Sequence, residues 1–204
     1  MRENRSLKEV IIESAWELFS EKGYDQTTIN DIISKAGISK GSFYYYFRSK
    51  DTLLNTLSNV LDNKYKQFEM EMSRDMNRFD ELIELNYRMH NYIGKKLDYR
   101  LLANLYASQL TKAEDSNLLD RNRYYFRMIT RLIDEGQKRG EIVADRPVHE
   151  IARIYGLCER TLISDWCMNN GEYDLGEMSH QYMPLLFSTF RGKPENSIFY
   201  NEIP

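Results

Sequence analysis

The sequence predicts an almost all-α chain, and three observations carry that expectation. Its 204 residues include only four prolines and ten glycines, whereas the good helix formers Leu, Glu, Lys, Arg and Met are plentiful. Apolar residues recur at spacings of three and four rather than in alternation. Good caps and terminators, Ser, Thr and Gly, stand at the ends of those periodic stretches. Hydrophobic residues at 42% and charged residues at 29% are usual for a globular protein. The length fits one sizeable domain or a small head on a larger body.

Leu7, Ile11, Ala15, Leu18 and Phe19 form the stripe of a first amphipathic helix ending near Gly23. Thr28 can cap a second helix, with Asp31 three residues on and Ile29, Ile32, Ile33 and Ala36 as its apolar face. Gly37 ends it. Ser39 caps a short third helix whose Phe43 and Phe47 lie one turn apart on its inner side. Ser49 caps a fourth, in which Leu54, Leu57, Leu61, Tyr65 and Phe68 keep helical spacing and run out of the N-terminal unit.

Further helices are expected over 78–96, 99–111, 121–139, 148–169 and 175–190, with breaks at Asn117, at Gly140 with Pro147 after it, and at Asn170-Gly171. Pro184 falls inside the last pattern and should kink or split it, because proline lacks an N–H and clashes with the preceding turn.

Several function classes are disfavoured. No apolar run reaches the length of a membrane span, and the N-terminus lacks the apolar stretch of a secretion signal, so a cytoplasmic protein is expected. Cys158 and Cys167 would face opposite sides of one helix and read as small buried hydrophobes. A di-metal helical enzyme needs Glu-x-x-His on two helices; only Glu177 to His180 has that spacing, and His90 and His149 lack the carboxylate. No G-x-S-x-G nucleophile motif occurs. Neither a metal nor another cofactor is expected, and a metal-dependent helical enzyme and a protein-interaction module remain only as alternatives.

The net charge of -3 gives the whole chain no attraction for nucleic acid, so any DNA contact must come from a local patch. Residues 32–50 contain no Asp or Glu, while Lys35, Lys40, Arg48 and Lys50 are basic. Over 28–47, two short helices joined by a Gly-containing turn and packed on a preceding helix make a helix-turn-helix, whose second helix can enter a major groove. With Phe43 and Phe47 inward, Lys40, Ser42, Tyr44, Tyr45 and Tyr46 lie mostly outside. Gly41 is a poor helix former; either it lets a phosphate or base edge approach, or it relieves crowding among the helices.

Gly23, Thr27-Thr28, Ile32, Ala36-Gly37-Ile38-Ser39, Lys40-Gly41, Phe43-Tyr44-Tyr45, Phe47 and Ser49-Lys50 resemble the N-terminal signature of the tetracycline-repressor (TetR) family. The resemblance covers about the first quarter of the chain; beyond it, length, helical pattern and the GQKRGEI stretch at 136–142 are similar. It implies a homodimer with a three-helix DNA-binding head, residues 1–50, and a helical effector-binding and dimerisation body, residues 51–204. Such a regulator would repress from a palindromic, inverted-repeat operator on double-stranded DNA and be released by a small-molecule effector.

Within the motif, the resemblance implies that Ser39, Lys40, Ser42 and Tyr44 face the groove and that Tyr45, Tyr46 and Lys50 touch phosphates, with Thr28 and Gly41 also at the interface. Tyr46 stands where many relatives have His, so a neutral hydroxyl bond would replace a charge-assisted one. In the body, Tyr87, Met89, Tyr92, Tyr106, Tyr125, Met128, Tyr155, Cys158 and Trp166 are either core packing or the lining of a ligand cavity. The resemblance favours a cavity, and it implies that 148–169 and 175–190 build the dimer interface. There Gly156 would permit close helix approach or make room for a bulky neighbour in its own subunit.

Overall fold

The computed structural model describes residues 6–111 and 118–192. Among these residues ten α-helices follow one another: α1 Leu7–Lys22, α2 Ile29–Ala36, α3 Lys40–Tyr46, α4 Lys50–Leu54, α5 Leu57–Glu71, α6 Arg78–Lys96, α7 Tyr99–Thr111, α8 Tyr124–Lys138, α9 Val148–Met168 and α10 Leu175–Phe187, with a 3-10 turn at Ser188–Phe190. Among the described residues the only β pairing is one isolated bridge between Ile142 and Arg191. No described helix is long and apolar enough to cross a membrane. The expected break at Asn117 lies outside the described residues.

The N-terminal caps form as local chemistry dictates. Ser6 and Glu9 close a capping box on α1, and Thr28 and Asp31 another on α2. Gly37, at φ 66°, supplies the left-handed turn between α2 and α3. Ile11, Ala15, Phe19, Ile32, Phe43 and Phe47 are buried between these three helices, and Trp16 meets Phe19 edge-on.

The expected fourth helix is interrupted. The Thr56 amide bonds back only three residues, to the Leu53 carbonyl at 2.9 Å, and the Thr56 hydroxyl donates to that carbonyl at 2.6 Å. The Ser58 hydroxyl likewise donates to the Asn55 carbonyl at 2.8 Å. Side chains thus take acceptors from the backbone ladder and separate α4 from α5. The break is tied on both sides. Trp16 Nε1 of α1 donates to the Thr56 hydroxyl at 3.2 Å, and Gln109 Nε2 of α7 donates to Asn55 Oδ1 at 3.0 Å.

In the body, α6 packs against α5, α8 and α10, while α9 packs against α7, α8 and α10. The helix expected over 121–139 begins only at Tyr124, because Asp62 of α5 caps it from outside: its carboxylate accepts from the Tyr124 amide at 3.1 Å and from Arg123 at 2.6 Å. Gly94 and Gly176 let α6 and α10 touch closely; a Cβ on Gly176 would lie 2.9 Å from the Asn91 α-carbon. The last helix is not split at Pro184. Met183 and Phe187, on either side of the proline, are fully buried, and their packing outweighs one missing backbone bond. Asn170 at φ 55° and Gly171 at φ 70° make the expected turn before α10.

Candidate nucleic-acid interface and the polar interior of the body

The outer face of α3 gathers most of the residues singled out in the sequence. Ser39 caps the helix by accepting from the Ser42 amide at 3.0 Å, and the two hydroxyls bond each other at 2.8 Å. Phe43 and Phe47 point inward, with 0% and 2% of their surfaces exposed. Tyr44, Tyr45 and Tyr46 remain outside at 45%, 81% and 37%, and the rings of Tyr45 and Tyr46 meet edge-on at 4.9 Å. A Cβ on Gly41 would meet only the Ser39 hydroxyl, at 3.7 Å. Crowding within the chain therefore does not explain that glycine.

The basic patch is smaller than the sequence suggests. Lys35 turns back onto α1 and pairs with Glu21 at 2.8 Å and Glu17 at 3.1 Å, and the Glu21 carboxylate beside it raises its pKa. Its charge is spent inside the head. Lys50 is half-buried: its ammonium donates to the carbonyls of Tyr24 at 2.7 Å and Thr27 at 3.0 Å and sits 4.1 Å above the Tyr24 ring. Burial lowers its pKa. An ammonium has three N–H donors, so one remains for an outside acceptor. Lys40 and Arg48 are exposed and have no acidic partner among the described residues. Thr28 is exposed, yet its hydroxyl and amide both bond Asp31, at 2.7 Å each. The bond from Lys22 holds that carboxyl well below the usual range.

The body turns its chemistry inward. Glu159, on the otherwise apolar face Ile151, Tyr155, Leu162, Ile163 and Trp166 of α9, is 4% exposed. Its carboxyl receives the hydroxyls of Tyr65, at 2.9 Å, and Tyr125, and the Asn86 side-chain amide at 3.0 Å. Burial raises its pKa. Asn86 also bonds Ser179 of α10 and lies 3.5 Å from His90 Nε2. His90 is fully buried, which drives its pKa down to about 3, and its Nδ1 has no hydrogen-bond partner among the described residues.

The body residues singled out in the sequence divide. Tyr125 and Tyr155 are buried beside or one turn from Glu159, and Met128 is buried one turn along α8 from Tyr125; burial, and after it the same carboxyl, raises the pKa of Tyr106. Met89 is buried on the α6 face that also carries Asn86 and His90. Tyr92 packs on Phe68, Tyr87 on His180 and Trp166 on Tyr99. Cys158 is half-buried and its thiol pKa is raised by burial. Gly156 makes room inside its own subunit, where an added Cβ would meet Arg160 at 3.0 Å and the Tyr125 hydroxyl at 3.3 Å. Glu159, Asn86 and His90 went unread as a site in the sequence, although polar residues interrupting apolar helical stripes were the available signal.

An open groove of about 860 Å³ lies elsewhere, between α9 and α10, lined by Leu162, Asp165, Tyr173, Glu177, Tyr182 and Leu186. Leu157, Met168, Leu185 and Leu186 are exposed along the same two helices.

Two regions of the chain match known families. Residues 11–57 match the family model for bacterial regulatory proteins of the tetR family, and residues 61–189 match that for the C-terminal region of YsiA-like proteins. The fatty acid metabolism regulator protein of Bacillus subtilis (strain 168) is 29% identical over 204 residues, spanning 95% of this chain and all of that protein. The crystal structure of the transcriptional regulator FadR from Bacillus subtilis in complex with stearoyl-CoA aligns with a TM-score of 0.69 at 22% identity, over 90% of this chain and 99% of that one. Thermus thermophilus FadR in complex with lauroyl-CoA aligns with a TM-score of 0.69 at 20% identity, over 93% and 98% of the two chains. These two structures share its fold. With both regions matched in order along one chain, the protein belongs to the TetR family and is a DNA-binding transcriptional regulator.

Proposed function

We propose that the protein is a homodimeric repressor that reads an inverted-repeat operator with α3 and is released from it by a long-chain acyl-CoA thioester held in the body. Residues 1–50 serve as the DNA-reading head and residues 51–204 as the sensing and dimerising body. The observation that carries the reading is the outer face of α3, an acid-free surface with three exposed tyrosines, an unpaired Lys40 and an open Gly41. Ser39, Lys40, Ser42 and Tyr44 reach base edges, while Tyr45, Tyr46, Arg48 and the free N–H of Lys50 hold phosphates. Thr28 acts by capping α2 and so aiming the turn.

One short helix reads too few base pairs, and a two-fold dimer doubles the contact. The exposed apolar side chains of α9 and α10 supply a self-complementary surface for that dimer. The effector class follows from the relatives, named for fatty acid metabolism and solved with stearoyl-CoA and lauroyl-CoA.

The test begins with selection of bound DNA from a random library, followed by titration of the complex with stearoyl-CoA. An enriched inverted repeat, bound two chains per site and released by the thioester, supports the reading. Recovery of no common sequence, or binding by a monomer, overturns it.

A further inference from the structure

The polar cluster in the body has a polarity of its own. The Asn86 side chain gives its NH2 to Glu159 and takes the Ser179 hydroxyl on its oxygen, which fixes the amide's orientation. That same NH2 faces His90 Nε2, so Nε2 is the lone-pair nitrogen and the proton of the neutral ring sits on Nδ1. Nδ1–H is thus a buried donor with nothing to receive it. Buried donors are rarely left so, because the desolvation cost is uncompensated. Nothing in the fold demands the group. His90 sits between Asn86 and Ile93 on the buried face of α6, where Leu82, Leu85 and Met89 show that an apolar side chain suits the packing.

Glu159 anchors the other side of that amide. It is a buried carboxyl that draws donors from α5, α6 and α8, and it has no ion pair with any described cation. Its hydrogen bonds hold Asn86 in place, so His90 Nδ1–H is the one group of the cluster left without a partner among the described residues.

We propose that this cluster recognises an oxygen atom, hydroxyl or carbonyl, carried on the buried part of the effector's chain, so that the protein prefers oxygen-substituted acyl thioesters to saturated ones. The inference rests on the acyl-thioester reading above and specifies its chemistry. A ligand oxygen accepts from His90 Nδ1–H, on the side of the ring turned away from Asn86. A saturated chain leaves the N–H orphaned, and a cation would oppose it. Selectivity built on a buried, otherwise unpaired polar group is steep, because the wrong ligand leaves that group desolvated and unbonded.

The experiment compares stearoyl-CoA with a series of hydroxystearoyl-CoA isomers, the hydroxyl moved along the chain, by calorimetry on the full-length protein and its His90→Leu variant. At one hydroxyl position the wild-type protein should bind about tenfold more tightly than it binds stearoyl-CoA, and His90→Leu should collapse that difference. If stearoyl-CoA binds as tightly as every isomer, the oxygen-recognition inference is wrong while the thioester reading stands. If no thioester of either kind binds, both fall. A preference that survives His90→Leu overturns the assignment to this residue. Should that variant fail to fold, the ligand series on the wild-type protein decides.

Discussion

The head and the body are built from the same kind of helix but place their polar groups on opposite sides of it. In the head, the interior is Ile11, Phe19, Ile32, Phe43 and Phe47, and the capping groups lie outside, each within a few residues of its partner: Ser39 with Ser42, Thr28 with Asp31. In the body, a carboxyl, an imidazole, a carboxamide and several phenols meet inside, and their partners lie far along the chain, Tyr65 with Glu159 and Asn86 with Ser179. A surface that meets a polyanion can keep its donors in water until contact. A pocket that discriminates among small molecules must keep them dry, at a cost to stability.

The comparison can be broken most sharply at Phe43. If the head is held only by its apolar interior, Phe43→Ala should cost about 3–5 kcal/mol, the usual range for a fully buried phenylalanine, and DNA binding should be lost with it. Denaturant unfolding measures the first and a mobility shift the second. A loss below about 1 kcal/mol would mean that caps and not packing hold α3.

In the body the corresponding effect depends on pH. His90 is charged below about pH 6.5 in the unfolded chain but stays neutral in the fold down to about 3, so the unfolded state binds the extra proton. Stability from this group is therefore complete above pH 6.5 and drains away as pH falls towards 3, by at most about 1.4 kcal/mol per pH unit. Glu159 acts in the opposite sense, since a raised carboxyl pKa favours the fold at low pH and loses its contribution as pH rises. The difference between wild type and His90→Leu isolates the imidazole: the variant should have a flatter acid limb in urea titrations between pH 6.5 and 4. Parallel curves for the two proteins would show that His90 is not buried neutral.

How much of this was legible follows from the range of the interactions. The caps at Thr28 and Ser39, the turn at Gly37 and the inward pair Phe43 and Phe47 are decided within four residues, and the sequence displays them. The break at Asn55–Thr56 was not, because it depends on Trp16 and Gln109 arriving from α1 and α7. The late start of α8 was hidden in the same way, since Asp62 supplies its cap from another helix. That Pro184 does not split α10 depends on the burial of Met183 and Phe187, which local strain alone does not show. The polar cluster left only a faint trace, Glu159 inside an apolar stripe, and its partners come from α5, α6, α8 and α10. In the head, Lys35 and Lys50 were read as open charges because sequence shows sign but not direction.

A mid-sized effect should separate Lys50 from Lys40. Lys50→Ala removes one phosphate donor and also frees the carbonyls of Tyr24 and Thr27, so operator affinity should fall while the melting temperature of the head falls too. Lys40→Ala should weaken DNA binding without moving the melting temperature. Thermal unfolding beside a binding isotherm distinguishes them; equal melting temperatures would show that the internal bonds of Lys50 contribute nothing to the fold.

The smallest expected effect is the most discriminating. Lys35 and Lys40 lie five residues apart in the same acid-free stretch, and charge counting treats them as equal members of one basic patch. Their surroundings differ: Lys35 is neutralised by Glu17 and Glu21 of α1, whereas Lys40 begins α3 and faces outward. A cation that releases no counterion from DNA leaves no mark on the salt dependence of binding, while one that neutralises a phosphate contributes about 0.9 to the log–log slope. Lys40→Ala should therefore flatten the slope by about that amount, and Lys35→Ala should leave it unchanged. The measurement is a set of operator isotherms between about 50 and 200 mM salt, the range over which phosphate contacts dominate the change in affinity. Equal slopes for the two variants would mean that Lys35 swings free of α1 when DNA arrives, and the head would then present a broader cationic surface than its unbound geometry shows.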